Sequence, residues 1–567
     1  MGSRFGPQSA QIGFALGFFL MSGMVSTGCI NKTGEALLPG LMSFPIAIEI
    51  SPDENADGYP EFLYVTSSNF ALQYNSGSVQ AYDLEKVVTG IFEGCVQQWV
   101  LPSCIDEGSD LTDPACQCDP LTEVICVPTQ PGIATECLAN DFEGDINSPE
   151  CECVPDPADD TCTPIPPDRC SVIPAGFRIR DPDQAALKLV RVPELITGEV
   201  RIGSFSDGLA VSTSGRRLYV PVRSDSNITW IDVDEEGRLF CGQNPSGVVD
   251  PNQLGGLTCQ GQYRDGAGVK ANPDVDVSFP PDPVDVFVGD LSDDFAPEGL
   301  ENDPLYNGDY ILVAHREGRA SLLIDQVPPI DNGTGTEMRP RLVASIDELA
   351  PEQVTITYEP GAKRAWIPSA LVNSVVRLGI GIDGDPTQSY LFDAGTLFVT
   401  GLDRGTSNRD IRFDPRPDKN LAYIVSRSPE ALLVARSEAA GGNLNMVDQI
   451  STCRDPSRVQ LAEVPARGGS AVLAFVSCFL SRRVNVIDTD RLQGITTLTN
   501  ISGAFEFVID GPRLLMYTAD FSTSVLRVAD LRPLVACLEG GSTAPEECSP
   551  QLLGLVGFPQ PVSELPR

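Results

Sequence analysis

One β-hairpin phrase returns along this chain, and it constrains the fold more than any other feature. The clearest copy, GRRLYVPVRSDSNITWIDVD from Gly215 to Asp234, consists of an apolar run, a polar turn, a second apolar run and an aspartate. Apolar runs of this length on either side of a polar turn are typical of two antiparallel strands. Similar phrases begin at Phe62, Tyr310, Arg364, Leu421, Ala474 and Leu514.

Further short apolar runs flank the seven hairpins. A run such as PIAIEISPD or VDVFVGD precedes each hairpin, and another such as EVRIGSF or QLLGLVGF follows most of them. Four strands per unit and seven units match a β-propeller, whose blades stack around an axis because no blade buries both faces alone. We therefore predict an all-β fold, a seven-bladed β-propeller of four-stranded antiparallel blades with a Cys-rich insertion in the first blade.

Two details of this prediction have alternatives. Seven separate hairpin modules on linkers would give the same pattern as a ring of seven blades. Either ALLPGLMSF near the N-terminus or PQLLGLVGF near the C-terminus could supply the outermost strand of the last blade. The C-terminal run is favoured because it directly follows the seventh hairpin.

The phrases SGRRLYVPVRSDSNITWID and VNVIDTD resemble the repeat of the YVTN/YncE-like family of seven-bladed propellers. The resemblance covers most of the chain from Phe44 to Pro561, apart from insertions. It implies the fold and specifies function poorly, because propellers host binding, scaffolding and catalysis alike.

The N-terminus predicts export. The apolar run IGFALGFFLMSGMV is too short to span a bilayer but suits the core of a signal peptide. It is followed by STGC, which resembles the lipobox of bacterial lipoproteins and implies that Cys29 is lipid-modified. Ser26 departs from the leucine that is usual there. An uncleaved anchor or a buried segment is the alternative.

These features divide the chain. Residues 1–28 are predicted to be a lipoprotein signal peptide, residues 29–43 a lipid-anchored tether and residues 44–567 the propeller. Two insertions interrupt the propeller, a Cys-rich one at 94–185 and a smaller one at 237–274. The expected location is the bacterial cell envelope, at the outer membrane.

The cysteines predict disulfide bonds. Of 17 cysteines, sixteen remain after Cys29, an even number that favours pairing in an exported protein. Ten of them lie between Cys95 and Cys170, and their pairing is left open; zinc is the competing interpretation of the C-x-C spacings there. Free buried thiols are the alternative for Cys453 and Cys478. The expected local pairs are Cys241 with Cys259, Cys453 with Cys478, and Cys537 with Cys548.

The charge balance excludes one class of partner. The chain has 78 acidic and 39 basic residues, a net charge of −39. Such a chain repels phosphate backbones, so no nucleic-acid partner is expected. Membrane contact is expected through the lipid anchor only, and the partner is expected to be an unidentified protein or other envelope component.

Catalytic motifs are missing from the sequence. It has one histidine, His315, which suits a surface or packing position, and we assign no catalytic residue. Lactonases with related propellers place acidic residues, arginine or histidine around the central channel. Charged residues on or leading into the innermost strands could bind a small polar ligand, and the alternative is that they only line the channel. They are Asp207, Asp285, Arg409, Asp410 and Arg458.

One segment, DENADGYPE, predicts a calcium loop. Oxygen ligands at alternating positions let a tight loop wrap a hard cation, and Gly58 permits the sharp turn. A plain acidic turn is the alternative, and no other cofactor is expected. The candidate ligands are Asp53, Asn55, Asp57, Glu61 and the carbonyl of Tyr59.

Two functions follow from these features. The first is an envelope-anchored binding or scaffold propeller for an unknown partner. The second is a lactonase-like or other hydrolase that uses channel carboxylates, with or without calcium. An acidic cluster converging on a deep channel pocket would favour the hydrolase, and a blocked channel would exclude it.

Overall fold

The chain forms seven four-stranded antiparallel sheets in sequence order, each built from one copy of the repeat. In every blade the first strand leads into the repeated hairpin, and the fourth strand pairs with the third. The predicted seven-bladed propeller is therefore confirmed.

The strands of blades 1 to 3 are Pro45–Ile50, Phe62–Ser67, Gly77–Asp83 and Ile196–Ile202; Ala210–Val211, Arg217–Val222, Asn227–Val233 and Leu239–Phe240; Pro283–Asp290, Gly308–His315, Arg319–Gln326 and Arg341–Ile346. Those of blades 4 and 5 are Thr357–Glu359, Arg364–Pro368, Ser374–Gly381 and Tyr390–Phe398; Asn408–Phe413, Leu421–Arg427, Glu430–Ser437 and Leu444–Ser451. Those of blades 6 and 7 are Pro456–Ala466, Gly469–Cys478, Arg483–Asp488 and Gln493–Thr499; Ala504–Asp510, Leu515–Asp520, Val525–Asp530 and Gln551–Val556.

This computed structural model describes most of the propeller and little of its insertions. Within the described part, the helices are α1 (Leu84–Phe92), α2 (Leu291–Phe295) and α3 (Arg532–Leu538), with short 3₁₀ turns at Pro304–Tyr306 and Pro386–Gln388. The described residues are 40–53, 55–70, 72, 74, 76–92, 99–100, 117–118, 154–155, 162–163, 188–190, 195–241, 257–259, 264–266, 278–326, 340–382, 384–398, 407–437, 444–499, 501, 503–540 and 548–557.

The core is divided among the interfaces between blades. Seven clusters of buried apolar side chains each join two neighbouring blades, and the last joins blade 7 to blade 1. In that closing cluster, Val65 and Tyr82 of blade 1 pack with Tyr517 and Val528 of blade 7. Because each blade buries both faces against its neighbours, the ring is stabilised by packing all the way round.

The C-terminal run closes blade 7, as predicted. Gln551–Val556 pairs with the third strand of that blade, so all four of its strands are consecutive in the chain. At the other end, the described chain begins at Gly40 and reaches the first strand of blade 1 without forming a strand itself. Blades 7 and 1 are thus joined by side chains and not by a shared sheet.

The aspartate at the end of the repeat has a local role. Asp530 accepts hydrogen bonds from the backbone N–H of Arg532 at 2.9 Å, and Asp488 accepts two from the turn that follows it. Asp83 does the same for Lys86 at the start of α1. In these three blades the aspartate accepts the first N–H groups of the turn that follows the third strand. Asp232 and Asp325 instead accept from the side chain of Arg217.

The insertions leave the ring at its outer edges. Blade 1 is interrupted between Asp83, where its third strand ends, and Ile196, where its fourth begins. Three short segments return to the ring. Lys188–Val190 runs parallel to the fourth strand of blade 7, Leu257–Thr258 runs parallel to that of blade 1, and Arg264–Gly266 pairs antiparallel with the third strand of blade 2. They cover exposed sheet edges, which limits edge-to-edge aggregation.

The three predicted local disulfides are present. The Cα atoms lie 5.0 Å apart in Cys241–Cys259, 5.9 Å in Cys453–Cys478 and 5.5 Å in Cys537–Cys548. Cys29 and most of the ten clustered cysteines lie outside the described residues, as do residues 1–39. Among the helices of the described part, none is both long and apolar enough to cross a bilayer.

Candidate functional site in the central channel

The two ends of the ring differ in how the chain turns there. We call the end where the first strands begin the entry face; it carries the turns between second and third strands, such as residues 369–373 and 479–482. The exit face is the end where the first strands finish, and it carries the turns between first and second strands, such as residues 51–61 and 291–307. Both definitions follow from the antiparallel order of the blades.

A cavity of about 530 Å³ extends from the channel wall to the turns of the exit face. Four charged residues of its lining come from the middle of first strands in different blades: Glu49 in blade 1, Asp285 in blade 3, Arg412 in blade 5 and Glu506 in blade 7. Ligand pockets for small molecules have volumes in this range. The channel is therefore open to a small molecule from the exit face.

A shared irregularity of the first strands aims these side chains at the axis. In blades 1, 3, 5, 6 and 7 the pairing with the second strand shifts after the first residue. The residues that follow the shift occupy one equivalent position: Ala47, Asp285, Asp410, Arg458 and Glu506. Because side chains alternate along a strand, Glu49 and Arg412, two residues further on, lie on the same side.

Burial changes the protonation of three of the cavity carboxyls, those of Glu49, Asp285 and Glu506. It raises the pKa of Glu506 to about 8 and that of Glu49 to about 7, although nearby arginines work in the opposite direction. Burial likewise raises the pKa of Asp285 to about 6, against Arg458 and a backbone hydrogen bond. Near neutral pH some of these carboxyls therefore carry a proton and others are ionised. A protonated carboxyl can donate a hydrogen bond.

Three arginines of the channel have an N–H group that donates no hydrogen bond to the described residues. The Nε atoms of Arg409, Arg412 and Arg458 are buried and donate no hydrogen bond within the described part of the chain. Arg458 lies 3.6 Å from the Glu506 carboxylate and over the ring of Phe505, and Arg412 lies 3.8 Å from Asp410. Burial lowers the pKa of Arg412, but the carboxylates around it raise it further, so the net shift is upward.

The predicted ligand residues do not form one cluster. Asp285, Asp410 and Arg458 lie on the channel wall, whereas Asp207 lies at the entry face, where Arg223 pairs with it at 2.7 Å. Arg409 precedes the equivalent position in blade 5, toward the entry face, and burial beside Arg427 and Arg458 lowers its pKa to about 10.

Two of the predicted residues also join blades. Asp285 accepts the backbone N–H of Ile356 in blade 4 at 2.8 Å, and Asp410 accepts that of Val459 in blade 6 at 2.9 Å. Both carboxylates therefore hold neighbouring first strands together, whether or not a ligand binds.

Sequence reasoning missed three residues of the cavity, Glu49, Arg412 and Glu506. A stricter alignment of the first strands would have found them, because Glu506 is equivalent to Asp285 and Asp410. His315 is buried and packs inside its blade, where its ring nitrogens contact Pro281 O at 3.0 Å and Ser321 Oγ at 2.9 Å. Burial lowers the pKa of His315 to about 4, so it is a neutral packing residue at neutral pH.

The predicted calcium loop lies at the mouth of the cavity, which Asp53 and Gly58 help to line. Its side chains accept hydrogen bonds from the loop's own backbone: Asp53 from Gly58 N at 2.8 Å, and Asn55 from Asp57 N at 2.8 Å. Glu61 accepts from Asn55 N, and the Tyr59 ring lies 4.9 Å from the Arg513 guanidinium. No group of three or more His, Cys, Asp or Glu side chains is placed to hold a metal in the described residues.

No family model matches this sequence, and no curated protein does either. Solved structures with a similar chain course include a suspected 6-phosphogluconolactonase from Bacteroides fragilis, with 12% identity, a TM-score of 0.43 and coverage of 66% of this chain and 91% of that one. The periplasmic gluconolactonase PpgL of Pseudomonas aeruginosa has 12% identity, a TM-score of 0.40 and coverage of 81% and 86%. The WD40 domain of Toxoplasma gondii coronin has 11% identity, a TM-score of 0.36 and coverage of 62% and 70%. Similarity at this level carries no information on ligand or activity.

Proposed function

We propose that this protein is a binding propeller of the bacterial cell envelope whose central cavity takes a small polyhydroxylated molecule. The observation that supports it most is that the carboxyls of Glu49, Asp285 and Glu506 line one cavity with Arg412, whose buried Nε donates no hydrogen bond to the described residues. Buried donors without partners are rare in folded proteins and call for an explanation. A ligand rich in hydroxyl groups both donates to carboxylates and accepts from guanidinium groups.

Thermal-shift and calorimetric titration of the whole protein with sugars, polyols and sugar acids at pH 7 tests this proposal. Glu49→Gln and Glu506→Gln should weaken binding at least tenfold, because each removes a carboxyl from the cavity. Glu298→Gln is the matched control, since Glu298 is exposed in a turn of the exit face. Equal affinity in all four proteins, or no binding by any member of the set, contradicts the proposal.

Hydrolysis of a cyclic ester is the second candidate, and the raised pKa values favour it. With pKa values of about 8, 7 and 6, Glu506, Glu49 and Asp285 include both a proton donor and a proton acceptor near pH 7. Such a pair is what general acid–base catalysis needs. The cavity is also open at the exit face, so the blocked channel that would exclude an enzyme is not what is found.

Acid release from simple lactones, followed between pH 6 and pH 8, separates catalysis from binding. If the protein is a hydrolase, Glu506→Gln should abolish catalysed release while a non-hydrolysable analogue still binds. If it is a binding protein only, the wild-type protein binds lactones or sugar acids without releasing acid.

The envelope location is part of the same proposal. We infer that the chain is a lipoprotein of the YVTN/YncE-like type, anchored through Cys29, on the basis of the STGC junction and the apolar run before it. The exit face and the Cys-rich insertion would then present a surface for an envelope partner. Capture of partners from intact envelope, followed by mass spectrometry, tests whether such a partner exists.

Calcium is proposed only for the Asp53–Glu61 loop. Binding would have to replace hydrogen bonds that Asp53 and Asn55 now make to the loop backbone. A thermal shift at millimolar calcium that Asp53→Ala with Asp57→Ala removes would support a site there. If the wild-type protein shows no thermal shift, calcium binding is contradicted and the loop is an acidic turn stabilised by its own hydrogen bonds.

A further inference from the structure

We propose that the entry end of the channel binds a second ligand, a small carboxylate that carries an apolar body. Arg409, Arg427 and Arg458 hold the carboxylate, and the apolar body lies on phenylalanine rings beside them. This site goes beyond the proposed polyol cavity, because none of these residues lines that cavity. It is carried by the contacts that bring the arginines together, by their shortage of anionic partners and by the adjoining aromatic surface.

Arg409 and Arg458 lie on the first strands of neighbouring blades, 5 and 6. The residues that follow them are joined, because the Asp410 carboxylate accepts the backbone N–H of Val459 at 2.9 Å. Arg458 occupies the equivalent channel position of its blade, and Arg409 lies one position nearer the entry face. The two side chains therefore start from adjacent points of the channel wall, at different depths.

Arg427 connects these two places from the end of the second strand of blade 5. Its backbone N–H donates to Ser407 O at 2.8 Å, two residues before Arg409. Its guanidinium crosses to blade 6 and donates to Pro456 O and Ser457 Oγ, both at 3.1 Å. Three arginines thus meet where blades 5 and 6 join at the entry face.

Few carboxylates balance these cations. Asp455 pairs with Arg427 at 2.6 Å, and Glu352, the other carboxylate that acts on Arg409, pairs with Arg316 at 2.7 Å. Among the described residues, Arg409 has no ion-pair partner, and its buried Nε donates no hydrogen bond. Buried donors without acceptors are rare, and a bound carboxylate supplies the acceptor that is missing here.

Arg458 is also incompletely neutralised. It is 3% exposed, and its buried Nε lies 3.6 Å from the Glu506 carboxyl, too far for a hydrogen bond. Because the pKa of Glu506 is about 8, that carboxyl is mostly protonated at pH 7. Burial, together with the charges of Arg427 and Arg458, lowers the pKa of Arg409 to about 10. A bound anion relieves this repulsion.

Arginines of the exit face are balanced within the protein. Arg513 lies over the Tyr59 ring at 4.9 Å, but its guanidinium also pairs with Asp510 at 2.9 Å. Arg416 pairs with Asp414 at 2.8 Å. Such pairing is what composition favours in a chain with 78 acidic and 39 basic residues. The arginine group at the entry face is therefore an exception that composition does not explain.

Phenylalanine rings continue from the arginines across the entry face. The centroid of the Phe505 ring lies 5.0 Å from Arg458 Cζ and 6.4 Å from that of Phe521. The Phe521 ring lies 6.2 Å from that of Phe479 and 5.5 Å from that of Phe70, which is 44% exposed. The other three rings are half-buried. An apolar surface that begins at a guanidinium fits a ligand with an anionic head and an apolar body.

Calorimetric titration of the whole protein with phenylacetate, at pH 7 and constant ionic strength, tests the proposal. Phenylacetamide has the same shape without the charge, and acetate lacks the apolar body, so each should bind at least tenfold more weakly. Arg409→Gln should weaken phenylacetate binding at least tenfold, because it removes a charged hydrogen-bond donor. Arg483→Gln is the matched control, since it removes the same charge from an exposed position at the entry end of blade 6.

Two further measurements separate this site from a folding defect and from the polyol cavity. Arg409→Gln should not lower the Tm of the unliganded protein, because it breaks no ion pair with the described residues. Glu49→Gln should leave phenylacetate binding unchanged, because Glu49 lines the polyol cavity. A lower Tm for Arg409→Gln, or a tenfold loss of phenylacetate binding in Glu49→Gln, refutes the site. So do equal affinities for phenylacetate and phenylacetamide, equal effects of Arg409→Gln and Arg483→Gln, or no binding at millimolar phenylacetate.

Discussion

Single charged residues decide what the channel of this propeller can do. The same position of the repeat carries alanine in blade 1, aspartate in blades 3 and 5, arginine in blade 6 and glutamate in blade 7. Identical backbones thus place different charges around one axis. The result is a cavity with more carboxyls than guanidinium groups, in which the excess carboxyls bind protons near neutral pH.

The pH dependence of stability should report on Glu506. Its pKa is about 8 in the folded protein, against an ordinary value of 4.5. Between these values the folded state holds more protons than the unfolded state, so this contribution is complete below pH 4.5 and is lost as the pH rises through 8. We expect the Tm of the wild-type protein to fall from pH 5 to pH 8, and that of Glu506→Gln to fall less. Calorimetry with Glu298→Gln as control checks this, and parallel slopes in all three proteins would contradict it.

The buried ion pair of blade 7 should be essential for its stability. Arg527 and Asp520 are both fully buried and paired with each other. Arg527→Met leaves the Asp520 carboxylate buried without its cation, which should cost about 3–5 kcal/mol in the free energy of unfolding. The control is Arg532→Met, because the Arg532–Asp530 pair is 54% exposed on the arginine side and should cost at most about 1 kcal/mol. Urea unfolding measures both, and similar costs would show that the buried pair has no special role.

The register of two strands in blade 6 was predictable because a predicted disulfide joins them. Cys453 precedes the first strand of blade 6 and Cys478 ends the second, and the register places Cys478 opposite Pro456. The disulfide confirms that register, because a shift of one residue would move every side chain of the strand to the other face. The fourth strands were harder to predict, since that of blade 2 has only the residues Leu239 and Phe240.

Removal of this disulfide should destabilise blade 6, because it raises the conformational entropy of the unfolded chain. The bond closes a loop with a sequence separation of 25 residues, for which chain entropy gives about 3 kcal/mol. We expect Cys453→Ala with Cys478→Ala to lower the free energy of unfolding by about that amount under non-reducing conditions. The double alanine variant of Cys537 and Cys548, separated by 11 residues, is the comparison and should lose slightly less. A change below about 1 kcal/mol at Cys453–Cys478 would show that the unfolded chain is already restricted.

The ring as a whole has two unlike ends. The exit face carries the cavity mouth and the carboxylate-rich segment Asp290–Asp303. Both faces carry arginine–carboxylate pairs, such as Arg316–Glu352 at the entry face and Arg416–Asp414 at the exit face. The long insertion also leaves and rejoins blade 1 between its third and fourth strands. The cavity mouth and the start of the long insertion therefore lie at the same end of the ring.

Attachment through Cys29 predicts a specific labelling result. A fatty acid supplied to growing cells should label the wild-type protein, and Cys29→Ser should carry no label and leave the membrane fraction. Ser26→Leu restores the usual residue of the lipobox and should be labelled at least as well as the wild type. Label retained by Cys29→Ser would refute lipidation at this residue.

The sequence by itself determined the number of blades, the order of strands and the three local disulfides. Each of these depends on neighbours in the chain: a hairpin is specified by the alternation of apolar residues around a turn, as in Arg217–Val233, and a local disulfide by the strands beside it. Only the tertiary structure decided which charges meet in the channel. Glu49, Asp285, Arg412 and Glu506 lie in four different blades, and their distance and burial depend on how the ring closes. Their pKa values follow from that burial, so these values cannot be predicted from the local sequence.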